Sequence, residues 1–320
     1  MKNKAVLNIF HIITAGFVAL VVINSLSCGS REGTRKLDLT RREPITEKNN
    51  IARKDAIRIA VGGMITPKDG FIYYKAFVDY MGRKMGRPVQ FVDREKYDEI
   101  NALLKAGEID AAFVCSGPYV DGHAEFGMEL LAAPQAHGGT VYYSYIVVAK
   151  DSPITDFEGL RGKRFAFTDP ISNTGTLVPA YMLAKMHETP ATFFKEYVYT
   201  YAHDKSIRAV ALKLVEGAAV DSLIWDYLDR TNPEFTSKTR IIIKSPPYGI
   251  PPFAVRKDLS PELKKAMQQA LLNAYKDAEG KELLREMMIE RFVIIPDSAY
   301  DSVREMKAWL ARHGAETKGQ

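Results

Sequence analysis

The sequence predicts an α/β protein with two lobes and mixed, mostly parallel sheets. Three observations carry that expectation. Short apolar runs of strand length alternate with longer segments whose apolar residues recur at helical spacing, the pattern of strand–helix–strand units. Glycines close the helical segments at Gly86, Gly107 and Gly217. The chain has 320 residues, more than a single core of roughly 100–200 residues usually holds. Hydrophobic residues are 46% and charged residues 26%, which supplies sizeable cores and argues against a wholly disordered chain.

Taken in order, Ile57–Val61 is a short apolar run ending in Gly62-Gly63, as a buried strand entering a loop does. Phe71, Tyr74, Phe77, Val78, Met81 and Met85 fall at helical spacing. Pro88–Val92 is a second strand, and Tyr97, Ile100, Leu103 and Leu104 mark a second helix. Ala111–Val114 is a third strand, carrying Cys115 and Ser116 at its end, and Val141–Val148 reads as one long strand. Arg164–Phe167 opens a new unit, followed by the loop Thr168–Thr176 and a helix running to about Met186. Pro179 is tolerated there only in the first turn, which puts the helix start within 174–176. A strand near 196–200 leads to His203-Asp204-Lys205-Ser206, and Ile207, Val210, Ala211, Leu214 and Val215 form an amphipathic helix. Asp221–Ile224 and Arg240–Ile243 are further apolar runs, and Ser245–Pro252 reads as a crossing between lobes. Ser260-Pro261 starts a long helix with a capping serine and a first-turn proline, and 296–310 is the last helix.

At the N-terminus, Lys2 and Lys4 precede an apolar stretch from Ala5 to about Leu26, and small residues lead into Cys28. That is the layout of an export signal. A cysteine at the cleavage point resembles a bacterial lipoprotein signal, although Ser25 stands where an aliphatic residue is usual. The resemblance implies a signal at 1–27 and a lipid on Cys28. The polar, charged 28–55 then reads as a flexible tether. The apolar stretch is also long enough to span a bilayer, so an uncleaved anchor is the alternative. Either reading puts the rest of the chain outside the cytoplasmic membrane. With Cys28 lipidated, Cys115 has no intramolecular partner, and a small buried apolar role is its plainest use.

The formal charge of +5 comes from 44 basic and 39 acidic residues without a dense basic tract, so nucleic acid is not an expected partner. There is no Gly-x-Ser-x-Gly elbow, Walker-type loop, His-Glu-x-x-His or dinucleotide fingerprint. Six histidines are scattered, and a Cys115–His203 thiol pair lacks an obvious third member. No enzyme, metal or cofactor is expected. Polar loops do stand where open α/β sheets bind ligands, beyond the C-terminal ends of strands. They are Gly63–Thr66, with Tyr73 at the start of the helix that follows, Cys115–Tyr119, Ser172–Gly175 and His203-Asp204. Backbone N–H groups and hydroxyls at helix N-termini can hold an anion without any lysine. Each loop alone also reads as ordinary helix capping. Tyr143 and Ser144 lie in an alternating strand, half of which faces the core, and Asp221 also reads as a plain strand-end residue.

Several of these segments together resemble the phosphate/phosphite/phosphonate solute-binding proteins of ABC transporters. They are Phe165–Gly175, Gly107–Tyr119, Tyr199–Ser206 and Ser245–Pro252, and the similarity runs from about Ile57 to about Met306. The resemblance implies a type II periplasmic-binding-protein fold. Lobe 1 would be 56–150 plus 249–320 and lobe 2 would be 151–248, with hinge strands near Val148–Ser152 and Ser245–Ile250. A ligand would be buried by closure, and the closed form read by a membrane permease. The implied binding set is Ser172, Asn173 and Thr174 as the oxyanion loop, Tyr143, Ser144 and His203 beside it, and Asp221, with Thr66, Tyr73, Cys115 and Ser116 completing the candidates. Members that accept aminated phosphonates carry an acid in the second hinge region, whereas this chain reads Tyr248-Gly249-Ile250-Pro251, so an unsubstituted small oxyanion is expected. Cys115 raises an alternative. Arsenite-sensing relatives carry a pocket cysteine and signal to a membrane histidine kinase, and a soft sulfur ligand suits arsenite.

Overall fold

Eleven of the thirteen short strands among the described residues sort into two main sheets, each with its own apolar cores, in a computed structural model that describes residues 56–62 and 70–313. The export signal, Cys28, the tether and Thr66 lie outside the described residues. The first sheet joins β1 (Ile57–Gly62), β2 (Val89–Arg94), β3 (Ala111–Phe113), β4 (Glu129–Gln135), β12 (Phe253–Val255) and β13 (Arg291–Val293) in the order β13-β4-β12-β3-β1-β2. The second joins β6 (Ser144–Ala149), β7 (Arg164–Phe167), β8 (Glu196–Tyr199), β9 (Gly217–Asp221) and β10 (Thr239–Lys244) in the order β10-β6-β9-β7-β8. Between them lies a two-stranded ladder of β5 (Val141–Tyr142) and β11 (Tyr248–Gly249).

Both sheets are mixed, but the expected predominance of parallel pairing is a misreading. β1 runs parallel to β2 and β3, and β7 to β8 and β9, while every other pairing is antiparallel. The cause is the chain path. Strands of strand–helix repeats all run the same way, whereas β6 and β12 each follow a crossing and run back against them.

The lobe boundary also moves. Strand β6 belongs to the second sheet, so the first crossing falls at 136–143, before the expected 148–152. The apolar run Val141–Val148 is broken at Tyr143, whose backbone N–H donates to Ser222 Oγ at 3.0 Å and whose carbonyl accepts from Ser222 N–H at 3.0 Å. Bonded to a helix start, Tyr143 drops out of the ladder and the strand changes sheet. The return crossing is the stretch 245–252 between β10 and β12.

Aromatic side chains fill both cores. Phe77, Phe113, Phe253 and Phe292 are buried together in the first, and Phe165, Phe167, Phe193 and Phe194 in the second. Phe165 and Phe194 stack with ring centroids 4.4 Å apart. Burying such a side chain stabilises the fold by about 1.5–3 kcal/mol. The two lobes are pressed together. Tyr97 N–H donates to Asp169 Oδ2 at 3.1 Å, Lys205 pairs with Glu95, and Tyr181 meets the ring of Trp309 at 5.0 Å.

Gly117, in the first turn of the helix Ser116–Phe126, shows how close this approach is. A Cβ there would lie 2.4 Å from the carbonyl oxygen of Ile171 in the second lobe. The Cβ position is fixed by the backbone that carries it and the oxygen is itself backbone, so neither yields easily. Gly117→Ala favours the helix itself by up to about 1 kcal/mol and obstructs only the meeting of the lobes. The expected outcome is an undiminished melting temperature without ligand and an affinity at least tenfold weaker, measured by calorimetry. Undiminished affinity would contradict this closed arrangement.

Candidate functional site

Five helices begin where the lobes face each other, each just beyond the C-terminal end of a strand. Tyr97–Lys105 follows β2, Ser116–Phe126 follows β3, His203–Ala211 follows β8 and Ser222–Thr231 follows β9. After β7, Asn173–Leu177 forms a widened helical turn that continues as Val178–Lys185. Unpaired N–H groups and positive dipole ends at helix starts favour an anion. No lysine or arginine is buried among the described residues, so any charge recognition here works through hydrogen-bond donors.

Four side-chain atoms in this region are buried without a hydrogen-bond partner: Tyr97 Oη, Asn173 Oδ1, Thr174 Oγ1 and His203 Nε2. Their residues are at most 2% exposed. A buried polar atom left unpaired costs about 1–3 kcal/mol, and four neighbouring cases mark a place where something else supplies the partner. The hydroxyls that do have partners frame them. Ser144 Oγ donates to the Thr174 carbonyl at 2.6 Å, Ser116 Oγ donates to the Gly249 carbonyl at 2.6 Å, and Ser172 Oγ accepts from Gly175 N–H at 3.1 Å.

His203 is fixed in one tautomer. Its Nδ1 accepts from the Asp221 backbone N–H at 3.0 Å and lies 3.1 Å from Thr168 Oγ1. A backbone N–H can only donate, so the ring proton sits on Nε2. Burial pushes the imidazole down to about 3, which keeps it neutral at physiological pH. The result is a fixed, uncharged N–H donor. Asn173 Nδ2 lies 3.1 Å from Tyr142 Oη. Turning the amide over preserves that contact, with the tyrosine donating, and converts the unpartnered oxygen into a second N–H donor.

Asp221 ends β9 and caps the helix Ser222–Thr231, accepting from Leu223 N–H at 2.7 Å. Burial raises its carboxyl to about 7 in spite of the N–H groups of Leu223 and Ile224. Tyr74, Tyr97, Cys115 and Tyr142 are all raised, by burial first and by the Asp221 carboxylate among nearby charges, which gathers them around it.

The expected residues fare differently. Ser172, Asn173, Thr174, Ser144, Ser116, His203 and Asp221 are buried at this lobe junction, and Tyr73 lines an adjoining cavity with Asp221. Tyr143 does not reach it. Its ring lies under the Lys244 ammonium, 3.7 Å from the centroid, and Tyr142, one residue earlier and so on the opposite face, takes the central position. Cys115 is 2% exposed, and its Sγ lies 3.7 Å from Tyr142 Oη. Burial holds its thiol up, against the N–H groups of Asn173 and Gly117. Tyr97, Tyr142 and Asp169 were not among the candidates. Tyr97 heads an apolar helical series that reads as core, and only its position at the helix start signals otherwise.

Two lobes meeting over converging helix starts, with unpaired donors buried between them, define a closing solute-binding protein. The chain belongs to the family described as ABC transporter, phosphonate, periplasmic substrate-binding protein, whose profile matches residues 65–300. It is 27% identical over 246 residues to the phosphonates-binding periplasmic protein of Escherichia coli (strain K12), covering 75% of this chain and 72% of that one. Its fold is similar to a binding-protein component of an ABC phosphonate transporter from Pseudomonas aeruginosa, with TM-score 0.78, 23% identity, and 83% and 90% of the two chains covered. It is also similar to a Prochlorococcus marinus protein solved in complex with methylphosphonate, with TM-score 0.73, 18% identity, and 80% and 98% covered. The chain is therefore a transport-type substrate-binding protein that works outside the cytoplasmic membrane, and it is not an enzyme. The arsenite-sensing alternative finds no support, because the family matched is one for phosphonates.

Asp221 gives the site a pH signature. Its folded value, about 7, lies above the unfolded carboxyl value near 4. Its contribution to stability is thus complete below pH 4 and lost as pH rises through 7. Asp221→Asn keeps an acceptor for Leu223 N–H and cannot ionise. Without ligand, the variant should match the parent near pH 4 and exceed it at pH 8 by on the order of 4 kcal/mol, read from urea unfolding. An equal difference at both pH values would contradict the raised carboxyl.

Proposed function

We propose that this chain captures a phosphonate or a kindred small phosphorus oxyanion between its lobes and presents the closed form to the permease of an ABC transporter. The observation that carries the reading is the set of four buried, unpartnered atoms at the helix starts. In the complex, His203 Nε2–H, the Thr174 and Tyr97 hydroxyls and the turned Asn173 amide donate to the oxygens on phosphorus. Ser172 and Ser144 hold the loop that carries Asn173 and Thr174. Hydrogen bonds to a charged group are worth about 1.5–3 kcal/mol each, so three or four reach the roughly 8 kcal/mol of micromolar binding. Tyr142, rather than Tyr143, orients Asn173. Family membership and the similarity to a protein solved with methylphosphonate favour phosphorus over other oxyanions.

Attachment to the membrane through a lipid on Cys28 is part of the same proposal. The basic start, apolar stretch and small residues before Cys28 support it. Mass spectrometry of the membrane-extracted chain should find a mature N-terminus at Cys28 carrying acyl groups. An N-terminus at Met1 would favour the uncleaved anchor.

Thermal unfolding tests the ligand class. Methylphosphonate or phosphite at about a hundred times its dissociation constant should add roughly 2.7 kcal/mol, and arsenite should add nothing. Thr174→Val should weaken binding by about 1–3 kcal/mol without lowering the ligand-free melting temperature, because the hydroxyl it removes has no partner in the protein. Unaltered affinity, or a destabilised ligand-free fold, would make Thr174 a structural residue only.

A further inference from the structure

At the edge of the first sheet away from the helix starts, three arginines stand over an open hollow. β1, β2 and β3 begin at this edge and the antiparallel β12 ends there, so a strand's length separates it from the site. Arg58, Arg87, Arg256 and Asp110 line the hollow, which measures about 540 Å³. A second hollow, of about 510 Å³, shares Arg256 with it and adds Lys105, Lys257 and Asp258. Five basic and two acidic side chains thus line this edge.

Two of the arginines are held in place. Asp110, which is buried, accepts from the Arg58 backbone N–H at 2.8 Å and from Arg256 Nε at 3.1 Å. The Arg58 guanidinium lies 3.5 Å from the same carboxylate and donates to the Gly107 carbonyl at 2.7 Å. Two cations therefore share one buried anion. Asp258 pairs with Arg256 from a side chain that is 77% exposed, and such a pair contributes little, so Arg256 can exchange it for another anion. Lys105 pairs with Glu125 at 2.6 Å. The side chains of Arg87 and Lys257 are exposed and have no hydrogen-bonded or ionic partner among the described residues.

The hollow also stands at the root of the N-terminal segment. Ala56, the first described residue, lines it. Residues 28–55, which join the chain there, carry eight basic and five acidic residues. A flexible segment of that length spans roughly 30 Å, so this edge is the part of the domain held nearest to a bilayer, whether the attachment is a lipid on Cys28 or an uncleaved anchor. Basic groups beside a membrane attachment favour anionic lipid, and the planar fork of a guanidinium matches two phosphate oxygens.

Resting on the membrane attachment put forward above, we propose that this edge of the first lobe docks on the phosphate headgroups of anionic lipids, which Arg87, Arg256 and Lys257 bind. The docked domain turns its ligand site away from the bilayer and leaves it open to solute.

Footprinting of the full chain in vesicles tests the docking. Phenylglyoxal modifies accessible arginines. It is applied to the chain reconstituted in phosphatidylcholine alone and in an equal mixture with phosphatidylglycerol, and Arg87 is read by mass spectrometry. Arg230, exposed in the last turn of a second-lobe helix, is the control. Modification of Arg87 should slow about fivefold or more in the mixture, while that of Arg230 stays the same. The protection should vanish in about 1 M salt, which screens charges beyond about 3 Å. Lys257→Glu should remove most of it, and methylphosphonate affinity should be equal in the two kinds of vesicle. Equal modification of Arg87 in both, with the chain still sedimenting with them, overturns the proposal. So does equal protection by free inorganic phosphate in phosphatidylcholine vesicles, which would make the hollow a site for a soluble anion. A chain that does not sediment with phosphatidylcholine vesicles would refute the membrane attachment itself, and this inference with it.

Discussion

The hydrogen bond from the Asp221 backbone N–H to His203 Nδ1 is the constraint on which the site depends. It ties the end of β9 to the start of the helix after β8, and it settles which ring nitrogen keeps the proton. Burial then removes the option of a charged imidazole. What results is a donor whose direction is set by the fold, so ordering it on binding costs little. The four unpartnered atoms share that economy of design. Their desolvation is suffered once, in the closed protein, and a ligand oxygen recovers it.

Closure is the second half of the argument. The carboxylate of Asp169, in the second lobe, accepts from the first N–H of the helix Tyr97–Lys105 in the first lobe. The same aspartate turns its own loop by accepting from Ile171 N–H at 3.0 Å. One side chain thus shapes the oxyanion loop and docks it on the opposite lobe. Gly117 permits the contact by having no side chain where Ile171 arrives. The closed arrangement and the assembled donor set occur together, and the proposed reading of the closed form by a permease rests on that pairing.

Much of this was legible in the sequence. Strand–helix alternation located the repeats, and Ser172, Asn173, Thr174 and His203 were marked by their position after strands. What escaped notice shares a physical cause: it depended on register or on contacts between lobes. Tyr142 and Tyr143 differ by one residue in an alternating strand, and only the break at Tyr143, fixed by Ser222, decides which of them faces the site. The same break hid the true crossing inside an apparently continuous apolar run. Tyr97 reads as an ordinary core position because its ring is buried like one, and its unpartnered hydroxyl is visible only in three dimensions. Among neighbouring hydroxyls, the sequence could not tell Thr174, which is unpaired, from Ser116, Ser144 and Ser172, which serve the backbone.

The most direct test is a crystal structure of the protein with bound methylphosphonate. The account predicts phosphonate oxygens within about 3 Å of His203 Nε2, Thr174 Oγ1 and Tyr97 Oη, with His203 Nδ1 still accepting from Asp221 N–H. A phosphonate bound elsewhere, with those atoms still unpartnered, would contradict it.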